Sequence, residues 1–399
     1  MRNRSWVGRL NPTVAAVKPS GIRRFFDLAS EMKGVISLGV GEPDFVTPWH
    51  IREAAIYALE KGYTMYTANS GLPALRQELA GYLAESFGVA YNPGTEILVT
   101  VGVSEAFDLA MRAVVAPGDE VLIPEPSYVS YEPCTLLAGG IPVMIKTAKE
   151  QGFRLSAEQV EKAVTPRTKA LILCYPNNPT GAVMPRRELE AVAEVAAARD
   201  LIVIADEIYA QLTYEGQHTC FASLPGMRDR TILLQGFSKA FAMTGWRVGY
   251  AAGHGDFIGA MTKIHQYTML CASISAQMAA LEALKNGRDE MRRMVGQYNY
   301  RRRLVINALK EIGLPCFNPG GAFYVFPDIS GTGLSSEEFT ERLLMEEKVA
   351  VVPGNAFGDS GEGHIRISYA ASVENLTEAF KRMGRFVRRY RLEQAANMV

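Results

Sequence analysis

Short apolar runs alternate with helix-period segments through the middle of the chain. Residues 96–102 read as a strand and 104–115 as a helix, and 120–124, 170–175, 201–205 and 231–235 are further short β-rich runs, several bounded by Pro or Gly. Between two of these runs, residues 186–198 (RRELEAVAEVAAA) have the length and spacing of an amphipathic helix. Strand, helix, strand at this rhythm predicts an α/β fold with a mainly parallel sheet covered on both faces. In such a sheet a ligand lies beyond the carboxyl ends of the strands, so the residues just after each apolar run carry the functional interest.

Beyond about residue 285 the pattern changes. Residues 288–309 form a long, charged, helical stretch, followed by Gly320-Gly321, an aromatic run at 323–327 and strands at 349–352 and 364–370. This reads as a smaller α+β unit with its own sheet. The first 40 residues lack the alternation and are expected to pack with it. The expected division is a large domain at 46–285 and a small one formed by both termini, 1–45 and 286–399. In the tail, Leu376, Phe380, Met383, Val387 and Tyr390 share one helical face, with Lys381, Arg382, Arg385, Arg388 and Arg389 largely away from it. That implies a solvated basic face, with docking of an acidic partner as the alternative.

Composition narrows the class. The 399 residues, at roughly 150 per domain, suit two or three domains. Forty-two basic and 42 acidic residues cancel, leaving no overall field to attract nucleic acid or anionic lipid. The apolar runs are far shorter than the roughly 20 residues a membrane span needs. Arg2, Arg4 and Arg9 precede no apolar stretch, so no secretory signal is expected. Five cysteines (Cys134, Cys174, Cys220, Cys271, Cys316) are widely spaced among apolar neighbours, without a CxxC pair. They read as buried, inert, reduced thiols, which fits a cytoplasmic protein; the five scattered histidines give no metal-binding spacing.

The chemistry sits where strands end. Gly236-Phe237-Ser238-Lys239 follows an apolar strand, and a lysine there can form a Schiff base if its amine stays partly unprotonated. In isolation an exposed turn lysine is the favoured reading, and it is the neighbouring motifs that reverse it. The run at 201–205 ends in Asp206-Glu207-Ile208-Tyr209; a carboxylate at the end of an interior strand needs a partner, which a protonated pyridine nitrogen would be, with a strand-end cap plus a core tyrosine as the competing reading. Pro176-Asn177-Asn178-Pro179-Thr180-Gly181 is a sharp turn whose amide side chain can hold two oxygens. At Gly102-Val103-Ser104 a strand passes straight into a helix, whose free N–H groups and dipole suit a phosphate; Ser104 as a plain N-cap is the competing reading.

Together these residues resemble the class I pyridoxal-phosphate-dependent aminotransferases of fold type I, closest to prokaryotic aromatic, aspartate and N-acetyl-diaminopimelate enzymes. The resemblance runs from GVGEPDF at 39–45 to HIRISY at 364–369, and GFSKAFAMTGWRVG at 236–249 is its most specific part, with NPTG and DEIY in the right order and spacing. It implies a fold type I transferase with a large domain around a mainly parallel sheet and a smaller α+β domain, working with pyridoxal 5'-phosphate on amino-acid and 2-oxo-acid substrates. Lys239 should hold the cofactor covalently and shuttle a proton. Asp206 should bond the ring nitrogen, Tyr209 and Asn178 the ring oxygen, and Tyr128 should stack on the ring. The phosphate should meet Gly102, Val103 and Ser104 at the helix start, with Ser238 and Arg247. Tyr66 should reach the phosphate of a neighbouring subunit, making the unit a homodimer. Arg366, with Asn178 and the Gly41 backbone, should grip the substrate α-carboxylate.

Two departures bear on specificity. Many relatives carry Ser where this chain has Gly236, and some aspartate enzymes carry Lys where it has Ser104, so exclusive use of dicarboxylates is not expected. The implied reaction moves the amino group of an aromatic amino acid or aspartate to 2-oxoglutarate by a ping-pong route. Alternatives are an N-acetyl-LL-diaminopimelate or alanine aminotransferase, a C–S β-lyase on the same scaffold, and a non-catalytic cofactor-binding regulator module. Phe25, Phe26 and Tyr66 would favour an aromatic donor if they face the side-chain pocket.

Overall fold

The computed structural model describes residues 6–17, 19 and 32–397. Seven strands form the large sheet, in spatial order Ile97–Thr100, Gly249–Ala252, Thr231–Gly236, Ile202–Asp206, Thr168–Cys174, Glu120–Glu125 and Ile141–Lys146. Every pairing is parallel except the two made by Gly249–Ala252, which runs antiparallel to both neighbours. The apolar pattern does not single out two of these strands. Ile141–Lys146 lies at the sheet edge and is only partly buried, and Gly249–Ala252 is built of small residues around Tyr250, with little strand propensity of its own.

Side chains alternate across the sheet. Leu171, Leu173, Val203, Ala205 and Leu233 enter the buried cluster on one face, while Ala170, Ile172, Cys174, Ile204, Ile232 and Leu234 enter the cluster on the other. Helix Arg186–Ala198, with the bounds its pattern predicts, covers the first face through Leu189, Val192, Ala193 and Ala196. Helix Gly102–Val114 covers the second through Ala106, Phe107, Leu109, Ala110 and Met111. It starts two residues before the expected position, which bears on Ser104 below.

Toward the C-terminus, the single strand expected at 349–352 is two. Val349–Ala350 pairs in parallel with Ile36–Ser37, whereas Val352–Pro353 joins an antiparallel sheet with Ile365–Ser368 and Tyr324–Val325. Helices Arg288–Ile312 and Val373–Asn397 pack together in one cluster, with Tyr298, Val305 and Leu309 meeting Leu376, Phe380, Met383 and Val387. The basic side of the last helix is not simply solvated. Arg385 bonds Glu347 at 2.7 Å, Arg382 bonds Glu378 at 2.9 Å and Arg389 pairs with Glu346.

Among the described residues, no helix is long and apolar enough to cross a membrane and no group of three His, Cys, Asp or Glu is arranged for a metal ion. All five cysteines are free, but only Cys174 and Cys220 are fully buried. The other three sit at partly open positions, where apolar neighbours in sequence did not translate into burial.

Candidate active site

A cavity of about 400 Å³ opens at the carboxyl ends of the parallel strands. Every residue expected at the site lines it except Gly102 and Tyr66. Cys174 and Asp206 are register partners on adjacent strands, so the turn bearing Asn178 leaves beside the Asp206 carboxylate. Lys239 follows the next strand on the other side.

Alternation decides which acid of Asp206-Glu207 faces the cavity. Asp206 falls on the same side as Ile204, toward the helix Gly102–Val114. Glu207 turns the opposite way, where its carboxylate accepts from the Phe221 amide and contacts His218 at 2.8 Å. Asp206 is 5% exposed and makes no ion pair among the described residues. Its oxygens accept instead from the Tyr131 hydroxyl at 2.8 Å and the Ile208 amide at 3.2 Å. Burial raises its pKa to about 6 against the pull of those two donors. A carboxylate kept without a cation in a ligand-sized cavity is a site for a cationic group.

Lys239 donates to the Gly41 carbonyl at 2.5 Å. The walls around the amine, then the Arg366 guanidinium, lower its pKa from 10.5 to about 8, although the side chain keeps some access through the cavity itself. An amine so placed is a nucleophile and proton carrier near neutral pH.

At the opposite end, the helix cap is Val101, so Ser104 is the third helical residue and not the N-cap. The start of this 13-residue helix has no side-chain cap, and its residues Val103 and Ser104 line the cavity beside Ser238 and Arg247, a setting that suits an anion. Gly102 (φ +79°) underlies this corner, since a Cβ there would run into the Arg247 guanidinium. Gly249 is equally constrained, as its Cβ would lie 2.8 Å from the Val103 nitrogen. At Gly236 a Cβ would sit 3.1 Å from both Gly249 and Val103, so the backbone is closely packed at this position.

Arg366 is 3% exposed, on the strand face opposite Ile365 and Ile367. Its guanidinium donates to Asn178 Oδ1 at 2.9 Å and to the Gly39 carbonyl at 2.6 Å. It lies between the rings of Tyr324 and Phe357, at 4.6 and 4.8 Å from their centroids. Its buried Nε has no partner. Such a fork is aimed at a carboxylate. The adjacent Asn177 serves the turn instead, accepting from the Thr180 amide and hydroxyl, a distinction the repeated Asn-Asn conceals.

Some lining residues escaped the sequence reading. Tyr131 begins a helix and Tyr324 lies on a strand, both buried, and neither was marked out as a site residue by the sequence. Glu42 and Thr244 lie in the quoted motifs and meet at 3.2 Å on the cavity wall. Tyr66 is 82% exposed, with Met65 beside it at 75%, and stands outside this chain's cavity. Phe25 and Phe26 lie outside the described residues.

The residues present fit pyridoxal 5'-phosphate: an unpaired buried carboxylate, a lysine of lowered basicity and a helix start with hydroxyls and an arginine surround one cavity, with the open Nε of Arg366 beside them. Residues 33–383 match the family described as aminotransferase class I and II. The chain is 57% identical over 378 residues to a putative aminotransferase, YugH, of Bacillus subtilis, covering 95% of this chain and 98% of the relative. It is 49% identical over 382 residues to an aspartate aminotransferase of Pyrococcus abyssi, covering 94% and 97%. The crystal structure of an aromatic aminotransferase from Pyrococcus horikoshii superposes with a TM-score of 0.88 at 46% identity, covering 93% of this chain and all of that one. The chain belongs to the class I and II aminotransferase family and is a pyridoxal-phosphate-dependent aminotransferase of fold type I.

Proposed function

We propose that this enzyme moves the amino group of an aromatic amino acid or aspartate to 2-oxoglutarate in two successive half-reactions at one site. The supporting observation is the convergence of Lys239, Asp206 and Arg366 on a single cavity. When bound, pyridoxal 5'-phosphate supplies the electron sink that makes the substrate's Cα proton acidic. Arg366, already braced by Asn178, takes the α-carboxylate through paired hydrogen bonds. A carboxylate fixed there stays bound through the reaction, and Lys239 works at the Cα hydrogen. With a pKa of about 8, its amine is neutral often enough to accept that proton and charged often enough to return it.

We assign the remaining roles by the same reading. Asp206 holds a negative charge for the ring nitrogen, Tyr209 and Asn178 serve the ring oxygen, and Tyr128 covers the ring. Val103 and Ser104 amides, Ser104 and Ser238 hydroxyls and Arg247 take the phosphate. Exposed Tyr63, Met65, Tyr66, Tyr267 and Met269 are apolar surface suited to a second copy of the chain, which would bring Tyr66 to the neighbour's phosphate. Free thiols suit a cytoplasmic setting.

Among the described residues, the lining cations are Lys239, Arg247 and Arg366, all assigned above, and Glu42 adds a negative charge at the wall. We assign the cation for the second carboxylate of 2-oxoglutarate or aspartate to a residue outside this set, contributed across the proposed subunit interface. Amino donors tested against 2-oxoglutarate and ranked by kcat/KM should place aromatic amino acids and aspartate first, with parallel double-reciprocal plots. A basic amino acid in first place, or pyruvate released from cystathionine without any oxo acid, would overturn the assignment.

A further inference from the structure

Tyr324 is 1% exposed and has no part in the roles assigned so far. Its hydroxyl lies 2.7 Å from that of Tyr209, and either can donate in the protein alone. Its ring flanks the Arg366 guanidinium at 4.6 Å. A Cβ on Gly41 would overlap the same hydroxyl, so the backbone that accepts from Lys239 also closes on this phenol.

A tyrosine hydroxyl has one hydrogen to give. Burial, then contact with Tyr324, holds the Tyr209 hydroxyl protonated far above neutral pH, so Tyr209 is a donor under working conditions. If its hydrogen goes to the cofactor's ring oxygen, the only hydrogen left for the 2.7 Å contact belongs to Tyr324. We propose that Tyr324 is a positioning residue that donates to the Tyr209 oxygen and so strengthens the hydrogen bond Tyr209 gives the ring oxygen, with its ring separately backing Arg366. The relay rests on the assignment of Tyr209 to that oxygen. Its physical basis is cooperativity: a hydroxyl that accepts a hydrogen bond becomes a better donor.

The readout is the pH midpoint of the bound cofactor's visible absorbance, measured on loaded enzyme without turnover. A bond donated to the ring oxygen favours the deprotonated state, in which that oxygen carries fuller negative charge, so weakening it raises the midpoint. Tyr209→Phe should raise the midpoint by about one unit or more. Tyr324→Phe should raise it by roughly 0.3–0.5 unit. Adding Tyr324→Phe to Tyr209→Phe should change nothing, because the chain is already cut. KM for the amino donor should stay within about twofold in Tyr324→Phe, which keeps the ring beside Arg366, and rise on the order of tenfold in Tyr324→Leu, which does not. A shift from Tyr209→Phe with none from Tyr324→Phe overturns the relay and leaves the Tyr209 assignment standing. No shift from either overturns both. A shift from Tyr324→Phe that persists in the Tyr209→Phe background means Tyr324 reaches the ring by another route, and overturns the relay as well.

Discussion

Lys239→Ala should abolish turnover, lowering kcat by at least about 10⁴-fold, because it removes both the covalent anchor and the proton carrier. The cofactor absorbance characteristic of the wild-type protein should vanish with it, and circular dichroism should show the fold intact. A second measurement isolates the physics. In the cofactor-free protein the buried amine titrates near 8 rather than 10.5. The unfolded chain therefore binds the extra proton between those values, and wild-type stability should climb with pH across that window. Lys239→Met, which keeps the bulk and drops the charge, should be more stable than wild type at pH 7, with the gap closing above about pH 10. A gap that is constant with pH would contradict the lowered basicity.

Asp206→Asn should produce the other large loss, on the order of 10³-fold in kcat, since the site then holds no charge against the ring nitrogen. Its effect on the cofactor-free protein runs the opposite way. The carboxyl is raised to about 6 from an unfolded value near 3.8, so its ionisation opposes folding as pH rises through that interval, by on the order of 2–3 kcal/mol once complete. Without cofactor, Asp206→Asn should melt higher than wild type at pH 7.5 and equally near pH 4. With cofactor, the order should reverse, because the wild-type carboxylate gains its cation. Retained activity in Asp206→Asn would refute its role.

Asp206 and Lys239 thus share a character: each is an ionisable group held at a cost in a cavity where neither pairs with the other. Asp206 bonds Tyr131, and Lys239 bonds the Gly41 carbonyl. That pattern is visible in sequence only as position, at the carboxyl ends of two strands. The strands were legible because buried parallel runs such as Leu171–Leu173 are continuous in apolar character, and helix Arg186–Ala198 because its stripe is clean. Gly249–Ala252 was not, since its pairing on both sides supplies what its residues lack. The break at Val351 was hidden because both halves are equally apolar and only tertiary pairing assigns them to different sheets.

The same limit applies to the site. Lys239, Asp206, Asn178 and Arg366 stand in motifs whose polarity is conspicuous next to apolar strands. Tyr131 and Tyr324 look like core aromatics, and they are core aromatics; only their hydroxyls, at 2.8 Å from Asp206 and 2.7 Å from Tyr209, reveal a second task. Tyr66 stays outside the cavity of its own chain, so the role proposed for it depends on the proposed second copy of the chain.

The most direct test is chemical. Enzyme saturated with pyridoxal 5'-phosphate is reduced with borohydride, digested, and its peptides sequenced by mass spectrometry. The account predicts one modified peptide, carrying the reduced cofactor on the ε-nitrogen of Lys239. Reduced cofactor on a different lysine, or none on any, would contradict it.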